Sequence, residues 1–405
     1  MKILEINKFY YIKGGSERHY FDVIKLLENK GHEIIPFSMK NDNNFASDYE
    51  NYFISRVDFK KFSLKNIFNI FWNFEAVRKL NKLIKKEKPK LAHIHNIAHQ
   101  LSPAIIKALK KNKVPIVQTL HDYKAICPAY AAFRANQECF DCRGGKYFNC
   151  VKNKCHKNSR SKSLLVALES FLHNQLFKTY NDVDFFIAPS EYLKNVHVEF
   201  GIPKEKIVVI NNFIDHYNLP RLDSVSGDTD NYFLYFGRLS KEKGIDFLCE
   251  AFHDLGKSFK LKIVGDGPIK KELQNKIEKL SLNNQIEILG YKTGEDLNNL
   301  IHRAKAVILP SLCLENMPYS LLEAMHLGKI VIASNTGGIP EIIRDGKNGF
   351  LFKRGNKDDL IQKIRGLNNH DLLVLSKKSQ ESVSKLNPEN YYQKFSKIID
   401  RVVCF

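Results

Sequence analysis

The chain has 405 residues, 43% of them apolar, which is enough to fill the cores of two or three domains and excludes a disordered or fibrous protein. Its formal charge is +19, and residues 1–215 hold 35 basic against 21 acidic side chains, leaving 28 against 23 for the remainder. Such a balance suits an anionic partner, a lipid headgroup, nucleotide or nucleic acid, although a Lys- and Asn-rich composition alone gives a similar number.

Met1-Lys2 leads straight into an apolar strand, Ile3 to Ile6, with no secretion signal, and no apolar run approaches the roughly 20 residues that span a bilayer. The expectation is a cytoplasmic protein, or one held loosely at the inner face of a membrane. A loop then carries Gly14-Gly15-Ser16-Glu17-Arg18, where Ser16 is placed to cap a helix and two glycines allow close backbone approach. Residues 62–90 put Ile67, Ile70, Phe71, Phe74, Val77 and Ile84 at spacings of three or four, against Arg78, Lys79, Lys82, Lys85, Lys86, Lys88 and Lys90. A membrane-surface helix and an ordinary surface helix of an α/β domain both fit that pattern.

Leu91 to His95 and Val114 to Leu120 read as strands, the second ending in His121-Asp122. His93, His95 and His99 carry no motif of their own and are expected to be structural or to lie near an acceptor. Within residues 127–158, Cys139, Cys142, Cys150 and Cys155 form two close pairs, with Cys127 and His156 nearby. A chain of this size without a secretion signal keeps its thiols reduced, and four thiols in a loop poor in apolar residues can hold a structural zinc. Unconnected reduced thiols are the alternative. Asp184 to Pro189 and Lys206 to Ile210 are further strands, and the polar stretch Asn211 to Asp230 reads as an interdomain linker.

The second half opens with the strand Tyr232 to Phe236 and continues through Gly237-Arg238-Leu239-Ser240-Lys241-Glu242-Lys243-Gly244. Strands at Leu261 to Val264 and Ile286 to Leu289 end in Gly265-Asp266-Gly267 and Gly290-Tyr291. A strand ending at Pro310 precedes Glu315-Asn316-Met317-Pro318, after which an apolar-periodic helix carries Leu322 and Glu323. Proline is tolerated at a helix start, and a helix start attracts anions through its unpaired N–H groups and dipole. Glu315 and Glu323 beside such a site are suited to accept hydrogen bonds from sugar or ribose hydroxyls. The strand Lys329 to Ser334 ends in Asn335-Thr336-Gly337-Gly338, and two such loops at strand ends suit a phosphorylated ligand. Pro388 to Ile399 places Tyr391, Tyr392, Phe395 and Ile398 at helical spacing.

From Gly14 to about Gly349 these motifs resemble the retaining glycosyltransferases of family 4, and ENMPYSLLEAM is similar to members that build bacterial surface polysaccharides. The resemblance implies an α/β GT-B fold of two Rossmann-like domains facing a central cleft. Residues 1–214 form the acceptor-side domain, residues 215–387 bind the nucleotide sugar, and a terminal helix, 388–405, crosses back onto the first. It implies transfer from a UDP-sugar, or less favourably a GDP-sugar, to a saccharide or polyprenyl-linked oligosaccharide by front-face attack with retention. His121, Arg238, Lys243 and Glu315 are the implied catalytic residues. Gly14, Gly15, Gly265, Tyr291, Asn316, Met317, Pro318, Leu322 and Glu323 are implied to bind the donor. No catalytic metal or cofactor is implied, nor nucleic acid; an anionic membrane surface is an expected partner. A nucleotide-sugar epimerase or phosphorylase of the same fold is the nearest alternative, and a non-catalytic binder of acidic polymer the more distant one.

Overall fold

The computed structural model describes residues 1–57, 64–135, 137–215 and 230–403. Most of the expected linker, 216–229, and the first two residues of the expected helix at 62–90 lie outside them. The chain divides into two units, one made of Met1–Asn211 with the chain from Glu389, the other of Asn212–Pro388.

In the first unit the strands are β1 (Lys2–Ile6), β2 (Glu33–Phe37), β3 (Leu91–Ile94), β4 (Ile116–Thr119), a hairpin of β5 (Phe133–Arg134) and β6 (Gln137–Glu138), β7 (Phe185–Ala188) and β8 (Ile207–Val209). Six of them form a parallel sheet in the order β2-β1-β3-β4-β7-β8. The order reverses between β1 and β3, and in open α/β sheets that switch point, at the carboxyl ends of the strands, is where ligands sit. Strand β2 contains Pro36 and lies at the sheet edge, where a missing N–H is tolerated.

The helix Gly15–Asn29 follows β1 and buries Tyr20, Val23, Ile24, Leu26 and Leu27. Its N-cap is Gly14 without a side-chain hydrogen bond, so Ser16 lies inside the helix and the expected cap is corrected. The 62–90 pattern is two helices, Leu64–Phe71 and Phe74–Glu87, separated where the Asn73 side chain accepts from the Ala76 amide. The second buries Ala76, Leu80, Leu83 and Ile84 and leaves Phe74 exposed, so its apolar stripe faces the domain core. The helix Pro388–Val403 buries Tyr391, Phe395, Ile398 and Ile399, and its Tyr392 hydroxyl lies 2.9 Å from His32 Nε2.

The second unit holds β9 (Tyr232–Phe236), β10 (Lys260–Val264), β11 (Ile286–Gly290), β12 (Ala306–Leu309), β13 (Val331–Asn335) and β14 (Phe350–Lys353). They pair in parallel in the order β11-β10-β9-β12-β13-β14, with the switch point between β9 and β12. All five residues of β9 are buried, as expected for a parallel strand covered on both faces. Phe233 and Tyr235 join Leu248, Phe252 and Ile263 on one face; Leu234 and Phe236 join Val307, Leu321 and Met325 on the other. Burying side chains of this size contributes about 1.5–3 kcal/mol each, which fixes the strand and thereby the loop that leaves it.

The cysteine segment carries its own small core. Cys142 and Cys150 are buried with Ala129, Tyr147, Val166 and Ala167, and Cys127 and Cys155 pack against them. This corrects the zinc expectation for Cys139, Cys142, Cys150 and Cys155: no three of their sulfur atoms lie within 4.8 Å of one another. Apolar packing holds the segment instead.

Candidate active site

At the switch point of the second unit, the loop after β9 delivers Arg238 and Lys243 and the loop after β12 delivers Glu315. Lys243 Nζ donates to Glu315 Oε1 at 2.6 Å, and Ser311 Oγ donates to the same oxygen at 2.5 Å. Burial opposes a charge on Lys243, but the Glu315 carboxylate beside it prevails and raises its pKa above the usual lysine value. The lysine is therefore a fixed cation whose charge Glu315 already balances. Arg238 differs: its side chain is exposed, and among the described residues its guanidinium meets no carboxylate. Its charge remains available to an incoming anion.

Two glycines let these loops approach one another. A Cβ on Gly337, where φ is +58°, would lie 1.9 Å from the Glu315 carbonyl oxygen, which also accepts from the Gly338 amide at 2.8 Å. Gly265, at φ +145°, would likewise meet the Gly237 carbonyl at 1.9 Å. Gly265 thus serves loop packing, where the sequence suggested close ligand approach. Thr336 Oγ1 donates to the Cys313 carbonyl and accepts from Arg354, a residue the sequence reading missed, so the loops after β12, β13 and β14 are tied together.

The helix Tyr319–His326 begins directly after Pro318, which stands at its N-cap. Glu323 is on its second turn and nearly buried. Leu322 and Met317, expected to touch the donor, instead place their side chains in the apolar core. The Met317 carbonyl is held by Asn212 Nδ2 at 2.9 Å, which leaves its amide as the group able to face a ligand. Tyr291 is exposed just beyond β11, at the edge of the sheet, and Gly14 and Gly15 are exposed at the helix start after β1.

At the switch point of the first unit stands a network that the sequence left unassigned. Glu5, inside β1 and fully buried, has Oε1 2.9 Å from His93 Nδ1 and Oε2 3.2 Å from His95 Nε2. His93 Nε2 lies 2.8 Å from Thr119 Oγ1, and His95 Nδ1 lies 2.8 Å from His121 Nε2. Complete burial raises the Glu5 carboxyl while His93 beside it opposes the shift; in its ionised form both oxygens accept, so His93 Nδ1 and His95 Nε2 carry protons. His95 Nδ1 must then accept, and the proton between the two rings belongs to His121 Nε2. The carboxylate thereby selects the tautomer of a histidine two links away.

Burial lowers His121 to about 3, with His93 and Lys8 adding to the shift, so the ring is a neutral hydrogen-bonding group at physiological pH. His95 is pushed well below the usual histidine range for the same first reason. Glu5, His93 and His95 are also the set among the described residues whose ligand atoms come within 4.8 Å of one another. Those atoms hydrogen-bond to one another, and the remaining ring nitrogens carry the network on to Thr119 and His121. A small open pocket adjoins it, lined by His95, Asn96, Gln118, His121, Asp122 and Lys124 among others. Lys124 Nζ donates to the buried Glu169 at 2.6 Å, and His99 lies 3.0 Å from the same oxygen. Burial alone would raise Glu169, but Lys124 and then His99 hold it at about 2.

Two doubly wound halves in one chain, each presenting polar side chains at its switch point, define the class: a GT-B glycosyltransferase fold. The chain belongs to Glycosyltransferase Family 4, whose model matches residues 13–217, while the model for Glycosyl transferases group 1 matches residues 221–384. An uncharacterized glycosyltransferase of Methanocaldococcus jannaschii is 26% identical over 99% of both chains. The lipopolysaccharide 1,2-N-acetylglucosaminetransferase of Salmonella typhimurium is 30% identical over 60% of this chain and 69% of its own. Among solved structures, Anabaena HepE in complex with UDP and glucose superposes with a TM-score of 0.68 at 20% identity, covering 99% of each chain.

Proposed function

We propose that the enzyme transfers a sugar from a nucleoside diphosphate donor, UDP-sugar before GDP-sugar, to a hydroxyl of a saccharide or lipid-linked oligosaccharide in bacterial surface polysaccharide synthesis. The observation that carries the reading is the second unit's switch point, where an open guanidinium and a Lys243–Glu315 pair stand together. A departing diphosphate gathers negative charge, and a preorganised cation at that position is the electrostatic contribution such reactions need. Arg238 supplies it directly; Lys243 adds to it as Glu315 turns to donor sugar hydroxyls. Glu323 takes the ribose, the Met317 amide and the helix start add N–H donors, and neutral His121, its single ring proton given to His95, accepts from a sugar hydroxyl.

The side chain of no residue is assigned as a covalent nucleophile. The acceptor attacks on the face from which the diphosphate leaves, a phosphate oxygen takes its proton, and the anomeric configuration is retained. The Salmonella relative's name and the UDP and glucose in the Anabaena structure support the acceptor and donor classes. The test is incubation with a panel of UDP- and GDP-sugars and a lipid-linked saccharide, with the product's anomeric coupling read by NMR. Retention with one donor supports the mechanism, and an inverted product overturns it.

A further inference from the structure

The sequence directs attention to the lysine-rich helix Phe74–Glu87 as a membrane contact, yet its apolar stripe is buried. A different helix carries an unpartnered one. Along Arg160–Ser170 and the turn that follows, Leu164, Leu168 and Phe171 stand at i, i+4 and i+7, which places them on one face. They are 48%, 46% and 49% exposed, while Val166, Ala167 and Ser170 on the opposite side are buried. Leu176, 61% exposed, extends the apolar surface along the chain.

A second aromatic group follows the helix in the chain. Phe177 packs edge-on to Trp72 with ring centroids 5.7 Å apart, and Trp72 lies 6.4 Å from exposed Phe74. The short helix Phe148–Lys152 packs beside Arg160–Ser170 and exposes Phe148. Side chains of this size left in water on a helix face mark an interaction site rather than ordinary surface.

Charge decides what covers it. Residues 143–178 contain eight Lys and Arg but a single carboxylate, Glu169, and that one is buried against Lys124. Lys157, Arg160, Lys162 and Lys178 are exposed around the apolar face. The exposed carboxylates nearest it, Asp141 and Glu199, lie at the far edge beside Arg134 and Arg143, and an apolar strip bordered otherwise by cations matches an anionic lipid surface, into which Leu and Phe insert while Lys and Arg meet the headgroups.

We propose that the helix face Leu164, Leu168 and Phe171, with Trp72, Phe74 and Phe177, is a docking surface for an anionic lipid bilayer. This deepens the functional reading, since a lipid-linked acceptor is presented from such a surface, but its test needs neither donor nor acceptor. The purified full chain is mixed with phosphatidylglycerol-containing vesicles and with pure phosphatidylcholine vesicles, and bound protein is measured by sedimentation. Trp72, the single tryptophan, reports insertion as a blue shift in its emission. The wild type binds the anionic vesicles and shifts; the triple change Leu164→Ser, Leu168→Ser, Phe171→Ser lowers binding at least tenfold with an unchanged melting temperature. Lys82→Gln, Lys85→Gln, Lys86→Gln on the helix Phe74–Glu87 retains most of the binding. Equal vesicle binding by the serine variant overturns the proposal. So does a wild type that ignores vesicles but sediments as a dimer that the serine changes dissolve, which would make the face a contact between copies. In either case a UDP-induced rise in melting temperature would still stand, keeping the two readings separate.

Discussion

The two switch points solve the same problem in opposite ways. In the second unit, charge is left near the surface: Arg238 is exposed and Lys243 half-buried against Glu315. In the first, Glu5, His93 and His95 are sealed in the core, and their hydrogen bonds run outward to Thr119 and His121. The open site can change its partners when a charged ligand arrives. The sealed site cannot, and what it supplies is a fixed protonation state.

That contrast predicts unequal responses to mutation. Arg238→Ala and Lys243→Ala should each lower kcat by about a hundredfold, the scale of losing one preorganised charge at a developing anion. Near-normal turnover in both variants would remove the second unit from the chemistry. Glu5→Leu, which removes both acceptors, should lower kcat about tenfold with little change in donor KM, and release the His121 ring from a single Nε2–H tautomer as read by ¹⁵N NMR. An unchanged tautomer would break the relay, whereas a changed tautomer with normal kcat would show that His121 does not serve the reaction.

A third prediction concerns the buried Lys124–Glu169 pair, which belongs to the first unit's scaffold. Glu169→Ala leaves Lys124 uncompensated and should cost about 3–5 kcal/mol in urea unfolding. The wild-type pair has a definite pH signature. Its folded pKa, about 2, lies below the unfolded value of about 4.3, so its stabilisation is fully present above pH 5 and is lost as pH falls toward 2. The difference between wild type and Glu169→Gln should shrink over that window; a difference independent of pH contradicts the pair. The smallest effect is expected from His121 itself: with its pKa near 3, activity should show no histidine limb between pH 5 and 8. A limb near 6.5 that vanishes in His121→Gln would contradict a sealed network.

Sequence reading found ten of the strands because buried parallel strands such as YFLYF are continuous apolar runs. It missed β2, which contains Pro36 and lies at the sheet edge, the two-residue strands of the β5–β6 hairpin, and the edge strand β14. Arg238, Lys243 and Glu315 were legible because loops after strands carry motifs. Glu5 was not, although a carboxylate inside KILEI opposite the alternating histidines of LAHIH is a signal available to anyone who pairs the strands. The cysteines do gather in space, Cys142 and Cys150 in a small core with Cys127 and Cys155 against them, but as packed side chains rather than as three sulfurs at ligand spacing, a distinction that spacing in sequence does not carry. The Leu322 side chain lies in the core, since a helix that starts at a site also has a face turned away from it.

The most direct test of the account is the thermal stability of the protein with UDP, GDP and their sugar conjugates, in the wild type and in Glu323→Ala. At a hundredfold excess over Kd, a ligand specific for the folded state adds about 2.7 kcal/mol. The account predicts a clear rise with UDP and its conjugates that is largely lost in Glu323→Ala. No rise with any nucleotide, or an equal rise in the variant, would contradict the placement of the nucleotide at the β9–β12 switch point.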